Sequence, residues 1–358
     1  MSTPQANGTP LGDAPAKKTA RVVLPSAEPE VEDDHEVSED ELEEGHIENA
    51  DDDTDYLGEF PDETDELNLL HQRIGSLKSL RLERFAKHLK RLCLRQNFIS
   101  FLDPEVFSLL TEMEELDFYD NKLKTVGDAL NTMSKLTVLD LSFNLLKSVP
   151  ETLVHLKLLD TVYFVQNRIS RISGLESVGA TLRSLELGGN KLRRIENLDA
   201  LVNLEELWLG KNKISKLENL GSLKRLKILS IQSNRITKIE NLESLENLED
   251  IYLSHNGVKK LEGLDHNLKL KTLDLGSNFV PDVENIVHLT RLEEVWLNNN
   301  KITTLQTLEP QLRTATALET IYLEGNPVQE SEGGNYRRKI KMALPQLSQI
   351  DATYVKPA

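Results

Sequence analysis

A nine-residue pattern recurs at a nearly constant spacing over most of this chain. Each copy alternates apolar residues at fixed positions and ends in asparagine, as in "LEELWLGKN" and "LKTLDLGSN". The terminal asparagines are 22 to 26 residues apart, and most intervals are 22 or 23: Asn97, Asn121, Asn144, Asn167, Asn190, Asn212, Asn234, Asn256, Asn278, Asn300 and Asn326. The segment "LNLLHQRI", with Gln72 in the asparagine position, adds a degenerate first unit. A period of this length predicts a solenoid, in which each unit packs on its neighbours.

The pattern is that of the leucine-rich repeat, and it predicts an α/β solenoid, a horseshoe of about twelve 22-residue units. The leucines point inward and stack from turn to turn as one elongated core. The short L-x-L pieces pair as parallel strands on the concave face, and short helical or 3-10 turns return along the convex side. Each asparagine turns inward at the bend, where its amide can satisfy backbone groups that no strand reaches.

Three regions follow from composition and repeat position. Residues 1–66 contain 22 Asp and Glu but only three Lys and Arg, whereas the rest of the chain has 37 acidic and 39 basic residues. We therefore expect residues 1–65 to be an acidic, disordered tail, because such a segment cannot bury enough apolar area to fold. Residues 66–327 form the repeats, and residues 328–358 form a C-terminal cap over the last apolar edge.

Ser38 lies in "VSEDELEE" within this tail. The surrounding acids make it a candidate phosphorylation site for an acid-directed kinase. The alternative is that the tail only keeps the protein soluble.

Several function classes are disfavoured by what the sequence lacks. It has no G-x-S-x-G elbow, no glycine-rich phosphate loop, no H-E-x-x-H and no Cys and His at metal spacing. We therefore expect no enzymatic activity, no cofactor and no metal. The net charge of −17 argues against direct nucleic-acid binding, and no apolar run is long enough to span a membrane.

The residue between the two strand leucines of each unit is predicted to face away from the core, because side chains alternate along a strand. We call these positions the central row: Cys93, Asp117, Asp140, Tyr163, Glu186, Trp208, Ser230, Tyr252, Asp274, Trp296 and Tyr322. Both tryptophans of the chain lie among these eleven positions, which random placement would produce about once in a thousand cases.

Aromatic and acidic side chains along one rigid face are typical of a protein-binding surface. The aromatic rings would serve as anchors, and the carboxylates, including Glu294 on the neighbouring row, would select a basic partner surface. The alternative is that the aromatic residues merely suit strands. Asp117 and Tyr252 are additional candidates on the same face.

Segments beyond the generic repeat carry a closer resemblance. The stretches "NLESLENLEDIYLSHNGVKKLEGL", "LETIYLEGNPVQ" and "NYRRKIKMALPQLSQIDATYV" resemble the nuclear leucine-rich-repeat regulatory subunits of type-1 protein phosphatase. The resemblance covers about residues 66–356 and leaves out the acidic tail. It implies a non-catalytic partner of the phosphatase catalytic subunit that binds through the concave face.

The resemblance also assigns the partner-binding residues: Asp140, Tyr163, Glu186, Trp208, Asp274, Glu294, Trp296 and Tyr322. Phenylalanine is frequent in the family where Tyr163 and Trp208 stand here. The resemblance further implies regulation of phosphatase activity, assembly or localisation, a role in chromosome segregation at mitosis, further regulators in a ternary complex, and a nuclear location with some cytoplasmic protein.

An adaptor of another complex, spliceosomal or cytoskeletal, is the alternative function. Leucine-rich-repeat proteins with a similar C-terminal cap include a short spliceosomal subunit. About twelve units exceed the length of that subunit, and the acidic and aromatic central row further favours the phosphatase partner.

Overall fold

The computed structural model describes residues 56–355. Fourteen strands form a single sheet in chain order: β1 (Glu66–Asn68), β2 (Arg91–Cys93), β3 (Glu115–Asp117), β4 (Val138–Asp140), β5 (Thr161–Tyr163), β6 (Ser184–Glu186), β7 (Glu206–Trp208), β8 (Ile228–Ser230), β9 (Asp250–Tyr252), β10 (Thr272–Asp274), β11 (Glu294–Trp296), β12 (Thr320–Tyr322), β13 (Gln349–Ile350) and β14 (Thr353–Tyr354). Strands β1 to β13 are parallel, and β14 pairs antiparallel with β13. The predicted fold class is confirmed, and β1 confirms that "LNLLHQRI" is a repeat.

The other regular elements are short. The α-helices are α1 (Pro104–Phe107), α2 (Leu308–Leu312), α3 (Pro327–Glu332) and α4 (Tyr336–Ala343). The 3-10 helices are Lys78–Leu80, Leu82–Phe85, Glu151–His155, Glu176–Val178 and Gly333–Asn335. Between residues 179 and 305 the convex segments are turns without a helix. A 22-residue period leaves too few residues for a helix there, so the predicted helical turns are restricted to the longer units.

The core is one continuous stack of apolar side chains from Leu57 to Ile350. Within a turn such as residues 204–217, the inward residues Leu204, Leu207, Leu209, Ile214 and Leu217 have no solvent exposure. Because each turn covers the next, the burial of these side chains is shared along the whole stack. The hydrophobic stabilisation is therefore distributed over the repeats.

Each bend combines a left-handed residue with an inward asparagine. The residue before every ladder asparagine has a positive φ, for example 53° at Lys211 and 55° at His255. Such values are uncommon for residues other than glycine. The following asparagine stabilises the bend: Asn212 Nδ2 donates to the carbonyls of Leu187 and Leu209 at 2.9 and 3.1 Å, and its Oδ1 accepts from the Leu192 amide at 3.0 Å.

A second asparagine ladder lies on the convex side. Asn197, Asn219, Asn241 and Asn285 each adopt a left-handed φ near 60° and donate to a carbonyl of the preceding turn at 2.6 to 2.8 Å. Gly263 replaces asparagine in this position, with φ 74°. A Cβ atom there would lie 2.3 Å from the Ile239 carbonyl oxygen, so glycine is the residue that fits. This ladder was not predicted, although the recurring "ENL" triplet marks it in the sequence.

The two ends of the stack are closed differently. At the N-terminal end Leu57 is 2% exposed and belongs to the core, and Arg84 pairs with Asp62 at 2.9 Å. Leu57 and Asp62, which lie within the predicted tail of residues 1–65, thus contact the first turns, and the boundary itself stays a prediction. Ser38 and the remainder of the predicted tail, residues 1–55, lie outside the described residues.

At the C-terminal end, α4 covers the last turn with Tyr336 and Ile340, which are buried. Asp351 directly follows β13 and caps the end of β12. Its Oδ1 accepts from the amides of Leu323 and Glu324 at 2.8 and 2.9 Å. A carboxylate suits this position because one of its oxygens can accept hydrogen bonds from both amides.

Candidate protein-binding face

The strand register places the predicted binding residues in one line. The pairing of neighbouring strands joins Asp117, Asp140, Tyr163, Glu186 and Trp208 in succession, and the same row continues without interruption to Tyr322. Neighbouring members are about 4.8 Å apart, the spacing between strands. Glu294 lies on the row one residue earlier, between Thr272 and Thr320. The structure therefore brings all the predicted residues onto one side of the sheet, opposite to the core.

Aromatic rings form two pairs on this face. Trp208 and Tyr252 stack with ring centroids 6.4 Å apart and an angle of 17° between the planes. Ser230 lies between them in the row, and its small side chain lets the two rings approach above it. Trp296 and Tyr322 meet edge to face at 5.5 Å. All four rings are only half-buried, so each pair leaves apolar surface available to a partner.

The second pair is held in place by hydrogen bonds. Trp296 Nε1 donates to Glu294 Oε2 at 3.0 Å, and Gln349 Nε2 of the cap donates to the Tyr322 hydroxyl at 2.7 Å. Glu294 thus orients an indole ring as well as contributing charge. Fixed side chains lose less entropy on binding, which favours a preformed surface.

The carboxylates of the row are unusually protected from water. Asp140 Oδ1 accepts from the Ser142 amide at 2.8 Å, yet burial raises the pKa of Asp140 above its usual range. Burial, with the nearby charges of Asp140 and Glu206, raises the pKa of Glu186 to about 7. These groups resist ionisation chiefly because they are partly removed from water, and nearby like charges add to the effect. A cationic side chain of a partner would relieve that repulsion.

Asp274 differs from the other predicted binding residues. It is 3% exposed, and its Oδ1 accepts from the Gly276 amide at 2.9 Å. Burial raises the pKa of Asp274. Its carboxylate therefore shapes the bend beside Trp296 in this structure and presents little surface to a partner.

A cluster at the N-terminal part of the face was missed by sequence reasoning. Arg95 stacks over the Tyr119 ring at 4.0 Å and pairs with Asp117 at 3.0 Å. The same guanidinium lies 3.8 Å from Asp140, and Tyr119 packs against Phe143 with centroids 4.7 Å apart. Arg95 and Tyr119 follow the second inward strand residue of their units, Leu94 and Phe118, and this position was the signal available in the sequence. The cluster extends the aromatic and charged face toward the bends.

No helix among residues 56–355 has the length and apolar character needed to cross a membrane. Within the same residues, no group of three or more His, Cys, Asp or Glu is arranged to hold a metal ion. The face described above is the side of the sheet opposite to the core. Its geometry suits a macromolecular surface better than a small ligand.

The repeats, the inward asparagines and the parallel sheet define the class: the chain is a leucine-rich-repeat protein. Leucine-rich-repeat family models match residues 87–146 and 238–358, and a model of two repeat copies matches residues 180–222. Solved structures show the same fold. An internalin from Listeria monocytogenes aligns over 81% of this chain and 87% of its own with a TM-score of 0.64 at 21% identity. A leucine-rich-repeat protein of Leptospira interrogans aligns over 75% of this chain and 73% of its own with a TM-score of 0.61 at 22% identity.

Among curated proteins, regulatory subunits of protein phosphatase 1 are similar to segments of this chain. The chain is 48% identical over 97 residues to protein phosphatase 1 regulatory subunit SDS22 of Saccharomyces cerevisiae, covering 27% of this chain and 28% of the yeast protein. It is 39% identical over 152 residues to the protein phosphatase 1 regulatory inhibitor subunit PPP1R7 homolog of Arabidopsis thaliana, covering 42% of this chain and 45% of the plant protein. The matched segments thus span less than half of each relative. The resemblance stated from the sequence is confirmed.

Proposed function

We propose that this chain is a non-catalytic regulatory subunit that binds the catalytic subunit of type-1 protein phosphatase through the central row. The observation that carries the proposal is the alignment of two aromatic pairs and several protected carboxylates along one side of a rigid sheet. Such a face provides apolar anchors and selects a basic surface. The relatives named as regulatory subunits of this phosphatase support the choice of this partner.

The aromatic rings and the carboxylates of the face have different roles in binding. The rings of Trp208 and Trp296 enter apolar depressions of the phosphatase, and Asp140 and Glu186 meet its cationic side chains. Binding through this face does not require the phosphatase active site to be blocked. Regulation then acts on the activity, assembly or localisation of the phosphatase, including at mitosis, in the nucleus with some cytoplasmic protein. Further phosphatase regulators can join a ternary complex.

The first test is binding of purified phosphatase catalytic subunit to variants of the central row. Trp208→Ala and Trp296→Ala should each weaken binding by about 2 to 4 kcal/mol, because each removes an aromatic anchor whose exposed part the partner would bury. Affinity is measured by surface plasmon resonance with the full chain immobilised. Phe279→Ala is the matched control, since Phe279 is 52% exposed and lies outside the central row.

Two outcomes would contradict phosphatase binding through the central row. One is retention of wild-type affinity by Trp296→Ala. The other is affinity purification from cell extract in which the wild-type chain retains a ribonucleoprotein or cytoskeletal complex and no phosphatase catalytic subunit. Imaging of the tagged chain in interphase and mitotic cells tests the proposed location separately. An assay of the purified chain alone on phosphate esters tests the absence of catalytic activity.

A further inference from the structure

A second, oppositely charged surface follows the ladder asparagines. In the turns spanning residues 166–259, the residues one and three positions after each asparagine flank a buried side chain such as Ile214, so both face outward. The left-handed residue before the asparagine lies at the same bend. Seven cations occupy these positions, and we call them the basic edge: Arg168, Lys191, Arg193, Lys211, Lys213, Arg235 and Lys259.

The concentration of charge at this edge is far from the chain average. Five turns with three positions each give fifteen residues, and none of the fifteen is Asp or Glu. At the frequency of 42 Lys and Arg in 358 residues, fifteen positions would hold about two cations, whereas these hold seven. Six of the seven are exposed, and Arg168 is half-buried. A chain with a net charge of −17 therefore carries a continuous basic strip.

The fold neutralises the cations on either side of this strip but not those within it. At the next position along the turn, Arg171 pairs with Glu196 at 3.4 Å and Arg194 pairs with Glu218 at 3.1 Å. Before the strands, Lys227 pairs with Glu205 at 2.6 Å. Among residues 56–355, no carboxylate oxygen lies within 4.0 Å of a basic-edge cation. The charge of the edge thus remains available to a partner.

The stacking of the turns fixes the dimensions of the edge. The amides of Arg168, Lys191, Lys213 and Arg235 each donate to a carbonyl of the preceding turn at 2.8 to 2.9 Å. Consecutive cations are therefore about 4.8 Å apart, and the four span about 14 Å. An extended peptide rises about 3.3 Å per residue, so a segment of roughly five residues covers this length. The Lys and Arg side chains are long enough to compensate for the difference between the spacing of the turns and the rise per residue of the peptide.

We infer that the basic edge binds an extended, Asp- and Glu-rich segment of a partner protein. The strip is narrow, and the Glu196, Glu218 and Glu240 row runs beside it. That geometry accommodates a single extended chain, whereas a nucleic-acid duplex would bring phosphates against those carboxylates. The inference does not rest on phosphatase binding, because the edge lies outside the central row.

The test uses the full chain and a fluorescein-labelled peptide of alternating glutamate and glycine, with binding followed by fluorescence anisotropy. The triple variant Lys191→Glu, Lys213→Glu, Arg235→Glu should weaken binding by about tenfold or more, since attraction becomes repulsion at three adjacent turns. The matched control Lys157→Glu, Lys224→Glu, Arg291→Glu changes net charge equally at exposed positions away from the edge and should stay within about twofold of the wild type. Raising the salt concentration should weaken wild-type binding.

Circular dichroism checks that each variant is folded, and the milder Lys213→Gln, Arg235→Gln variant replaces the triple variant if that one is not. Equal loss of peptide binding in the edge and control variants would overturn the inference, as would failure of the wild-type chain to bind the peptide at low salt. Tighter binding of a single-stranded RNA of the same charge, lost only in the edge variant, would assign the strip to nucleic acid instead. Retained phosphatase binding by the edge variant is expected and separates this surface from the central row.

Discussion

A single ladder asparagine connects two turns through hydrogen bonds to their backbone. Asn212 is 9% exposed and satisfies carbonyls of its own turn and of the preceding one, together with the Leu192 amide. Asn219, in the second ladder, makes one such bond, to the Ile195 carbonyl at 2.7 Å. The Asn212 side chain therefore makes more hydrogen bonds to the backbone than the Asn219 side chain does. Their replacement should therefore differ in cost.

Asn212→Ala should lower the free energy of unfolding by about 2 to 4 kcal/mol, because it removes several buried hydrogen bonds and leaves the Leu192 amide without its acceptor. Asn219→Gly retains a residue that tolerates the left-handed φ of 59° and loses one hydrogen bond, so about 1 kcal/mol is expected. Urea unfolding followed by circular dichroism measures both. Equal losses for the two variants would contradict the distinction between the ladders.

Glu186 makes the stability of the folded protein depend on pH. Its pKa in the folded protein is about 7, above the value of about 4.3 expected in an unfolded chain. The folded protein therefore binds this proton more tightly than the unfolded chain does. The stabilisation that results is fully present below about pH 4 and is lost as the pH rises through about 7.

Glu186→Gln should consequently raise stability at pH 8 and change it little at pH 5. Because part of the side chain still faces solvent, the gain at pH 8 should be about 1 to 2 kcal/mol, less than the full shift implies. Thermal unfolding at the two pH values measures the difference. Glu243→Gln, an exposed glutamate elsewhere on the stack, is the control and should show no such dependence. A gain in stability at pH 5 that matches the gain at pH 8 would contradict the raised pKa of Glu186.

At the scale of elements, α4 illustrates how the stack ends. Ile340 has no solvent exposure, whereas Met342, two residues later on the same helix, is 71% exposed. The helix thus covers the apolar end of β12 and its turn with one side and faces water with the other. Solenoids require such a cap, because an open end exposes a ready-made apolar edge.

Ile340→Asp should therefore detach the cap, since a carboxylate cannot be buried there without a partner. The expected result is a loss of several kcal/mol in stability and self-association, measured by urea unfolding and light scattering after size-exclusion chromatography. Met342→Asp places the same charge on the exposed side and should leave both unchanged. Self-association of Met342→Asp to the same extent would show that added charge, and not loss of the cap, is responsible.

At the scale of the whole molecule, the repeats hold the two aromatic pairs at a fixed separation. Trp208 and Trp296 lie four strands apart in the same row, which corresponds to about 19 Å. The intervening turns share one core and one hydrogen-bonded sheet. The two anchors are therefore rigidly spaced but do not touch.

Substitutions at well-separated sites usually have additive effects. The double variant Trp208→Ala, Trp296→Ala should weaken phosphatase binding by the sum of the single losses, within about 0.5 kcal/mol. A double-mutant cycle measured by surface plasmon resonance gives the coupling. A combined loss much smaller than the sum would mean that the partner engages only one end of the row at a time.

The periodic sequence by itself determined the fold class, the inward leucines, the asparagine bends and the row to which Trp208 belongs. A strict repeat leaves one arrangement in which every apolar stripe is covered, so position within the unit decides which way each side chain faces. The same logic located Glu294 beside the central row. It also predicted the cap from the amphipathic segment after Asn326.

Only the tertiary structure decided which of those residues meet and how much of each remains exposed. The stacking of Trp208 on Tyr252 and the Arg95 cluster depend on contacts between residues 22 or more positions apart, and the burial of Asp274 depends on the neighbouring turns. Side-chain length and orientation across neighbouring turns set these contacts, and no single unit contains that information. The packing of Leu57 was likewise invisible in an acidic segment, because its burial depends on the open end of the first turn.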